Sequence, residues 1–147
     1  MRLAFHKAGR SIFSRLIRLK TRSIYSHVEL VFSDGISFSA REQDHPAVEF
    51  IHVRFLPGEW DFIDLDVTQN EEYAIRQRCR SQVGKSYDWL GILGFVLPFG
   101  EHDDDDLFCS EAVTRALQVI GYFPAIKPWT ISPGKLYDLL WTKTSKH

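Results

Sequence analysis

The stretch that most restricts the fold is "SHVELVFSDGISFSA" (26–40), in which two apolar runs flank the sequence Ser-Asp-Gly. Asp-Gly between such runs is a strong sign of a β-hairpin, because both residues tolerate the backbone angles of a tight reversal. Apolar residues alternate along each run, and the intervening positions of the first run carry His27 and Glu29. The sequence therefore predicts a hairpin with His27 and Glu29 on one face and large apolar side chains on the other.

The register of this hairpin decides which residue faces the His27 ring. Matching the apolar sets of the two strands places His27 across from Ser39 or Arg41. A strict two-residue loop instead pairs His27 with Glu42. The sequence alone does not decide between these two registers.

The order of the other elements favours the α+β class, with an antiparallel sheet packed against helices. The length of 147 residues fits one domain, so we expect a single domain over 1–147. Thr68 and Glu71 have the spacing of a capping box, and Ser132 before Pro133 is typical of a helix start. The patterns predict helices over roughly 10–20, 69–83 and 87–98, one from about Cys109 to Gly121, one from Ser132, and strands at about 50–56 and 60–66.

Cys109 lies in "LFCSEAV" (107–113), where an amphipathic helical pattern begins. A free cysteine is most often a small buried side chain. At the first turn of a helix, however, the positive end of the dipole favours the thiolate, and backbone N–H groups can bind an oxyanion. With His27 as base and a third group on the other ring nitrogen, Cys109 would have the partners of a nucleophile. We expect the neighbouring aspartates to point outward, with Asp105 or Asp106 as the helix cap.

Four segments together resemble the circularly permuted branch of the NlpC-type papain-like superfamily. This branch includes the YiiX-like proteins and is related to the lecithin:retinol acyltransferase group. The segments are "YSHVELVFSDG" (25–35), "VGKSYDWLG" (83–91), "FCSEAV" (108–113) and "SPGKLYDLL" (132–140). "SHVEL" with "FCSE" is also similar to versions found in bacteriophage genomes.

The resemblance implies a permuted papain-like fold, in which the histidine strand precedes a helix with the catalytic cysteine at its N-terminus. It implies Cys109 as the nucleophile and His27 as the general base. By motif spacing, the residue that orients the ring is Ser39, with Glu29 or Glu42 as alternatives. Serine departs from the histidine, asparagine, glutamine or glutamate that is more usual at this position.

The activity implied is that of a thiol hydrolase, a cysteine peptidase or amidase that cleaves a peptide or amino-acid-containing amide through a thioester. Tyr87 matches a tyrosine whose hydroxyl would bind substrate or an oxyanion, and no cofactor or metal is expected. Two other hypotheses stay open. One is a lipid acyl hydrolase or acyltransferase of the same fold, with the apolar run 90–99 as its groove. The other is a non-catalytic binding module, which the serine at position 39 favours.

The charges are unevenly distributed along the chain. Residues 1–28 contain seven Lys or Arg and no acid, whereas "EHDDDD" (101–106) contains five acids. An acidic loop at the cleft would attract a small cationic substrate, while the basic N-terminal stretch is expected to pack one face on the sheet and expose the other. The net charge of −1 gives no sign of a nucleic-acid partner.

Two features of composition bear on the compartment. Two cysteines make no disulfide framework in a chain of this size, and the apolar residues near the N-terminus are interrupted by basic ones. The longest apolar run, 89–99, is too short to span a bilayer. We expect a cytoplasmic protein with reduced thiols and no membrane span, and the sequence does not indicate an oligomeric state.

Overall fold

The structure, a computed structural model, describes residues 1–40, 48–87 and 106–145. Five strands form one antiparallel sheet: β1 (Arg2–His6), β2 (His27–Val31), β3 (Ser37–Ala40), β4 (Val48–Ile51) and β5 (Trp60–Asp64). Their spatial order is β4-β3-β2-β1-β5. Two short strands, β6 (Ser86–Tyr87) and β7 (Asp106–Leu107), pair in parallel beside it. The predicted α+β class with an antiparallel sheet is confirmed.

The described residues form four α-helices: α1 (Ile12–Thr21), α2 (Gln69–Arg80), α3 (Cys109–Gln118) and α4 (Pro133–Thr144). A 3-10 turn, Pro128–Thr130, precedes α4. Helix α3 lies against β2 and β3 and also packs on α2 and the 3-10 turn. Helix α4 packs on α3 and β5. The helix that carries Cys109 is therefore held against the two strands of the predicted hairpin.

The N-terminal strand β1 was not predicted. It pairs with both β2 and β5, so it lies inside the sheet, and Leu3 and Phe5 on it are fully buried. Its five residues contain only these two large apolar side chains, and its partner strands are distant in sequence. Tertiary pairing, rather than local pattern, makes this segment a strand.

The hairpin adopts the register that matches the apolar sets. Leu30 lies opposite Phe38, and the Phe32 N–H donates to the Ile36 carbonyl across a three-residue turn. Gly35 closes this turn with a φ of +82°, a conformation that glycine adopts without strain. The strict two-residue register is therefore wrong, and Glu42, its proposed partner for His27, lies outside the described residues.

Other boundaries follow the local signals closely. Thr68 and Glu71 form the predicted capping box of α2, and Ser132 accepts a hydrogen bond from the Lys135 N–H at the start of α4. The predicted strand over 50–56 is shorter, because the chain leaves the sheet edge after Ile51 and re-enters at the opposite edge as β5. The helical piece predicted over 87–98 falls outside the described residues beyond Tyr87.

Within the described ranges, no helix combines the length and the apolar character needed to cross a bilayer.

Candidate active site

The hairpin supplies a buried triangle of polar side chains. His27 Nε2 lies 3.1 Å from Glu29 Oε1 and 3.2 Å from Ser39 Oγ, and the Ser39 hydroxyl donates to the same Glu29 oxygen at 3.2 Å. Residues i and i+2 of a strand share a face, which places His27 and Glu29 together, and the register brings Ser39 opposite Glu29. The positions of these three side chains are therefore determined by the hairpin itself and do not depend on helix α3.

The hydrogen bonds in this triangle fix the proton on Nε2. The Glu29 carboxylate accepts from the Ser39 hydroxyl and can only accept from the ring, so we assign the ring proton to Nε2, which donates to Glu29. In the neutral ring the lone pair is then on Nδ1, the nitrogen that faces away from the triangle. This is the tautomer in which an imidazole can take a proton from a group on its other side.

Cys109 is that group. It is the first residue of α3, it is almost fully buried, and its sulfur interacts with the His27 ring. Since Glu29 and Ser39 occupy Nε2, we assign Nδ1 to the sulfur. The structure therefore brings together three of the predicted site residues, Cys109, His27 and Ser39, and adds Glu29 as the carboxylate that the sequence left as an alternative.

Opposing effects act on the pKa of His27. Burial alone lowers it, but the Cys109 sulfur as an anion and the Glu29 carboxylate both favour the protonated ring, through charge and through hydrogen bonds. The favourable contacts outweigh desolvation, so the pKa of His27 is raised above its ordinary value. Only 18% of the His27 side chain and none of the Glu29 side chain is exposed, so water screens this pairing little.

Three contacts hold the first turn of α3 in place. The Ser110 hydroxyl donates to the Ile131 carbonyl at 2.6 Å, which ties the helix start to the end of the 3-10 turn. The buried Gln82 side chain donates to the Ala112 carbonyl at 3.2 Å. Glu111, which is also buried, accepts from Arg115 one turn along. A nucleophile at this helix start would have a fixed position relative to the hairpin.

The N-cap of α3 differs from the prediction. The cap position is Phe108, which makes no side-chain hydrogen bond to the helix, while Asp106 belongs to β7 and Asp105 lies outside the described residues. Because α3 begins at Cys109, its cap is the residue directly before it, Phe108. Asp106 and Asp105 lie two and three positions before Phe108 and do not take this role. The first helical bond joins the Ala112 N–H to the Phe108 carbonyl. The N–H groups of the preceding three residues are thus not used within the helix.

Two residues beside His27 were missed by sequence reasoning. His6 lies directly opposite His27 across the β1–β2 pair, and its ring packs against Trp60 at 4.5 Å between centroids. The Trp60 and His27 rings are steeply inclined to each other, with 6.3 Å between their centroids. Burial, together with the charge of His27, lowers the pKa of His6. Recognising β1 as a strand would have indicated this cluster, because its last residue then pairs with the first residue of β2.

Tyr87 is placed near the site by its backbone. It pairs with Leu107 in the β6–β7 ladder, two residues before Cys109. The acidic residues 101–105 and the apolar run 90–99, both considered as substrate-binding elements, lie outside the described residues. Over 1–40, 48–87 and 106–145, no three His, Cys, Asp or Glu side chains cluster as metal ligands.

Neither a family model nor a curated protein matches this chain.

Proposed function

We propose that the protein is a thiol hydrolase that cleaves an amide bond through Cys109 and His27. The observation that carries this proposal is the chain of contacts from Cys109 to His27 to the Glu29–Ser39 pair, in which a buried thiol at a helix start meets an oriented imidazole. Packing alone does not require these residue types to be adjacent, and a buried carboxylate beside a histidine costs more than an apolar pair of similar volume.

The fold that we propose is the permuted papain-like one. The order of the elements supports it, since a histidine strand in an antiparallel sheet precedes a helix that begins with cysteine and lies against that strand. The third group of the site then comes from two positions. Glu29 supplies the charge, and Ser39, at the motif position, links the carboxylate to the ring.

The chemistry follows from the proton positions. The Cys109 thiolate attacks the acyl carbon, and the carbonyl oxygen becomes an oxyanion beside the Cys109 N–H, which the helix does not use. The protonated His27 gives its proton to the leaving nitrogen as the C–N bond breaks, which leaves a thioester. His27 then takes a proton from water, the resulting hydroxide attacks the thioester, and the acid and the thiolate are released.

The first test is alkylation of Cys109 by iodoacetamide as a function of pH, measured by mass spectrometry. Cys79 is the internal control, because it is fully buried and burial raises the pKa of its thiol. We expect Cys109 to react faster than Cys79 below pH 8 and to lose this advantage in His27→Gln. His52→Gln removes an exposed histidine and is the matched control. Equal rates for the two cysteines, or no effect of His27→Gln, would refute the proposed pair.

A second measurement tests turnover and separates the hypotheses on substrate. Peptide amides, amino-acid amides and lipid esters are incubated with the protein and hydroxylamine, which converts a thioester to a hydroxamate. Hydroxamate formation from amides, lost in Cys109→Ser, supports the amidase. Formation from lipid esters alone would replace it by the acyl hydrolase, and an activated thiol without turnover on any substrate would favour the binding module.

A further inference from the structure

Helix α1 and the residues just after it expose several large apolar side chains. Ile12 is 71% and Leu19 is 77% exposed, and Ile24, just after the helix, is 58% exposed. Ile17 of this helix is among the buried core residues. Ile12, Arg15 and Leu19 are spaced by three and four residues, so they lie along one outward face. This face, with Ile24, is called the α1 surface below.

The α1 surface is strongly basic. Residues 1–28 contain no acid, and the exposed cations Arg10, Arg15, Lys20 and Arg22 have no ion pair in the described part of the chain. The other cations of this stretch are already engaged. Arg2 pairs with Asp64, Lys7 pairs with Asp61, and Arg18 donates to the Lys7 carbonyl. Four exposed cations therefore lie in or next to this helix with no ion pair to any residue that the structure describes.

The topology places helix α1 near the candidate active site. Helix α1 joins the end of β1 to the start of β2, and in an antiparallel pair these two chain ends lie at the same end of the sheet. His6 and His27 are at that end. The segments between α1 and the strands are five residues each, so the helix cannot lie far from it.

We propose that the α1 surface docks the protein on an anionic lipid bilayer. Exposed aliphatic side chains between uncompensated Lys and Arg residues match the boundary between acyl chains and anionic headgroups. A nucleic acid would use the cations but gain nothing from Ile12 and Leu19, and a second copy would bring the same positive charges face to face. The proposal is independent of catalysis, and docking would bring the end of the sheet that carries His27 close to the membrane.

The experiment is co-sedimentation of the full chain with vesicles of phosphatidylcholine alone and of phosphatidylcholine mixed with phosphatidylglycerol. We expect binding to the mixed vesicles only, with weaker binding as salt increases. Arg15→Gln should weaken binding by about fivefold, the effect of one cation near an anionic surface. Arg80→Gln, an exposed arginine on α2, is the matched control and should have no effect.

Leu19→Ser should also weaken binding, whereas Val119→Ser, at a half-exposed aliphatic residue after α3, should not. Leu19 is so exposed that its replacement leaves the core intact. Three results would overturn the proposal: no binding to mixed vesicles at low salt, equal binding by the α1-surface variants and their controls, or a dimer that Leu19→Ser dissociates in the absence of vesicle binding. All measurements are repeated in Cys109→Ala, so their outcome does not depend on the proposed hydrolase activity.

Discussion

The replacement of Glu29 by glutamine tests the charge at the centre of the candidate site. Glutamine keeps the shape of the side chain and one acceptor oxygen but removes the negative charge of the carboxylate that accepts from His27 and Ser39. A hydrogen bond to a charged group contributes about 1.5–3 kcal/mol and a neutral one about 1 kcal/mol. We therefore expect the free energy of unfolding to fall by about 1–2 kcal/mol at a pH where His27 is protonated. The pKa of His27 should fall by about one unit or more in the folded protein.

The loss of stability in Glu29→Gln should depend on pH, because it depends on the charge of His27. The folded pKa of His27 is raised, to about 10, above the ordinary value of 6.5. The stabilisation from the protonated ring is therefore fully present below pH 6.5 and is lost as the pH rises through the folded value. The difference in stability between wild type and Glu29→Gln should be largest near pH 6 and should shrink towards pH 10.

Two measurements check this reasoning. Urea unfolding at several pH values gives the free energies, and NMR titration of the His27 ring protons gives its pKa. Ser39→Ala is the matched control, because it removes a neutral hydrogen bond of about 1 kcal/mol with little dependence on pH. An unchanged His27 pKa in Glu29→Gln, with a loss of stability that is the same at pH 6 and pH 9, would refute the charged pair.

Three further predictions concern the fold. Thr68→Ala removes the capping box of α2 and should lower the free energy of unfolding by about 1 kcal/mol in urea, whereas Thr142→Ala, late in α4, should cost less. Leu3→Ala should cost about 2–5 kcal/mol, since it leaves a cavity on an inner strand, while Leu19→Ala on the exposed face should cost less than about 0.5 kcal/mol. Gly35→Ala should cost about 1 kcal/mol because of its positive φ, as a lower midpoint of thermal unfolding would show, and an unchanged midpoint would contradict the turn geometry.

The parts of the fold that the sequence predicts are those determined locally. The turn at Gly35 and the alternation around it define the hairpin, and the cap at Thr68 defines the start of α2. Strand β1 could not be predicted, because its formation depends on partners that are about 25 and 60 residues away along the chain. For the same reason the cluster of His6 and Trp60 beside His27 was not found.

The candidate site was also predicted in part. Period-two alternation predicts that His27 and Glu29 share a face, and the apolar pairing predicts that Ser39 comes near them. The pattern does not decide which acceptor meets the ring. Glu29 lies on the same strand as His27 and was an alternative only, yet its oxygen is as close to Nε2 as the Ser39 hydroxyl. That choice depends on rotamers within a buried space, which the sequence pattern does not determine.

The burial of Glu29 has a cost in free energy. A carboxylate with no exposed side-chain area costs free energy that an apolar residue at the same strand position would not. Its neighbour Leu30, at the adjacent position of β2, is equally buried without that cost. The compensating contacts of Glu29 to His27 and Ser39 orient the imidazole, while α3 brings Cys109 close enough to interact with the ring. Stability alone does not require a buried charge beside a histidine and a thiol, whereas the proposed hydrolase uses all three groups.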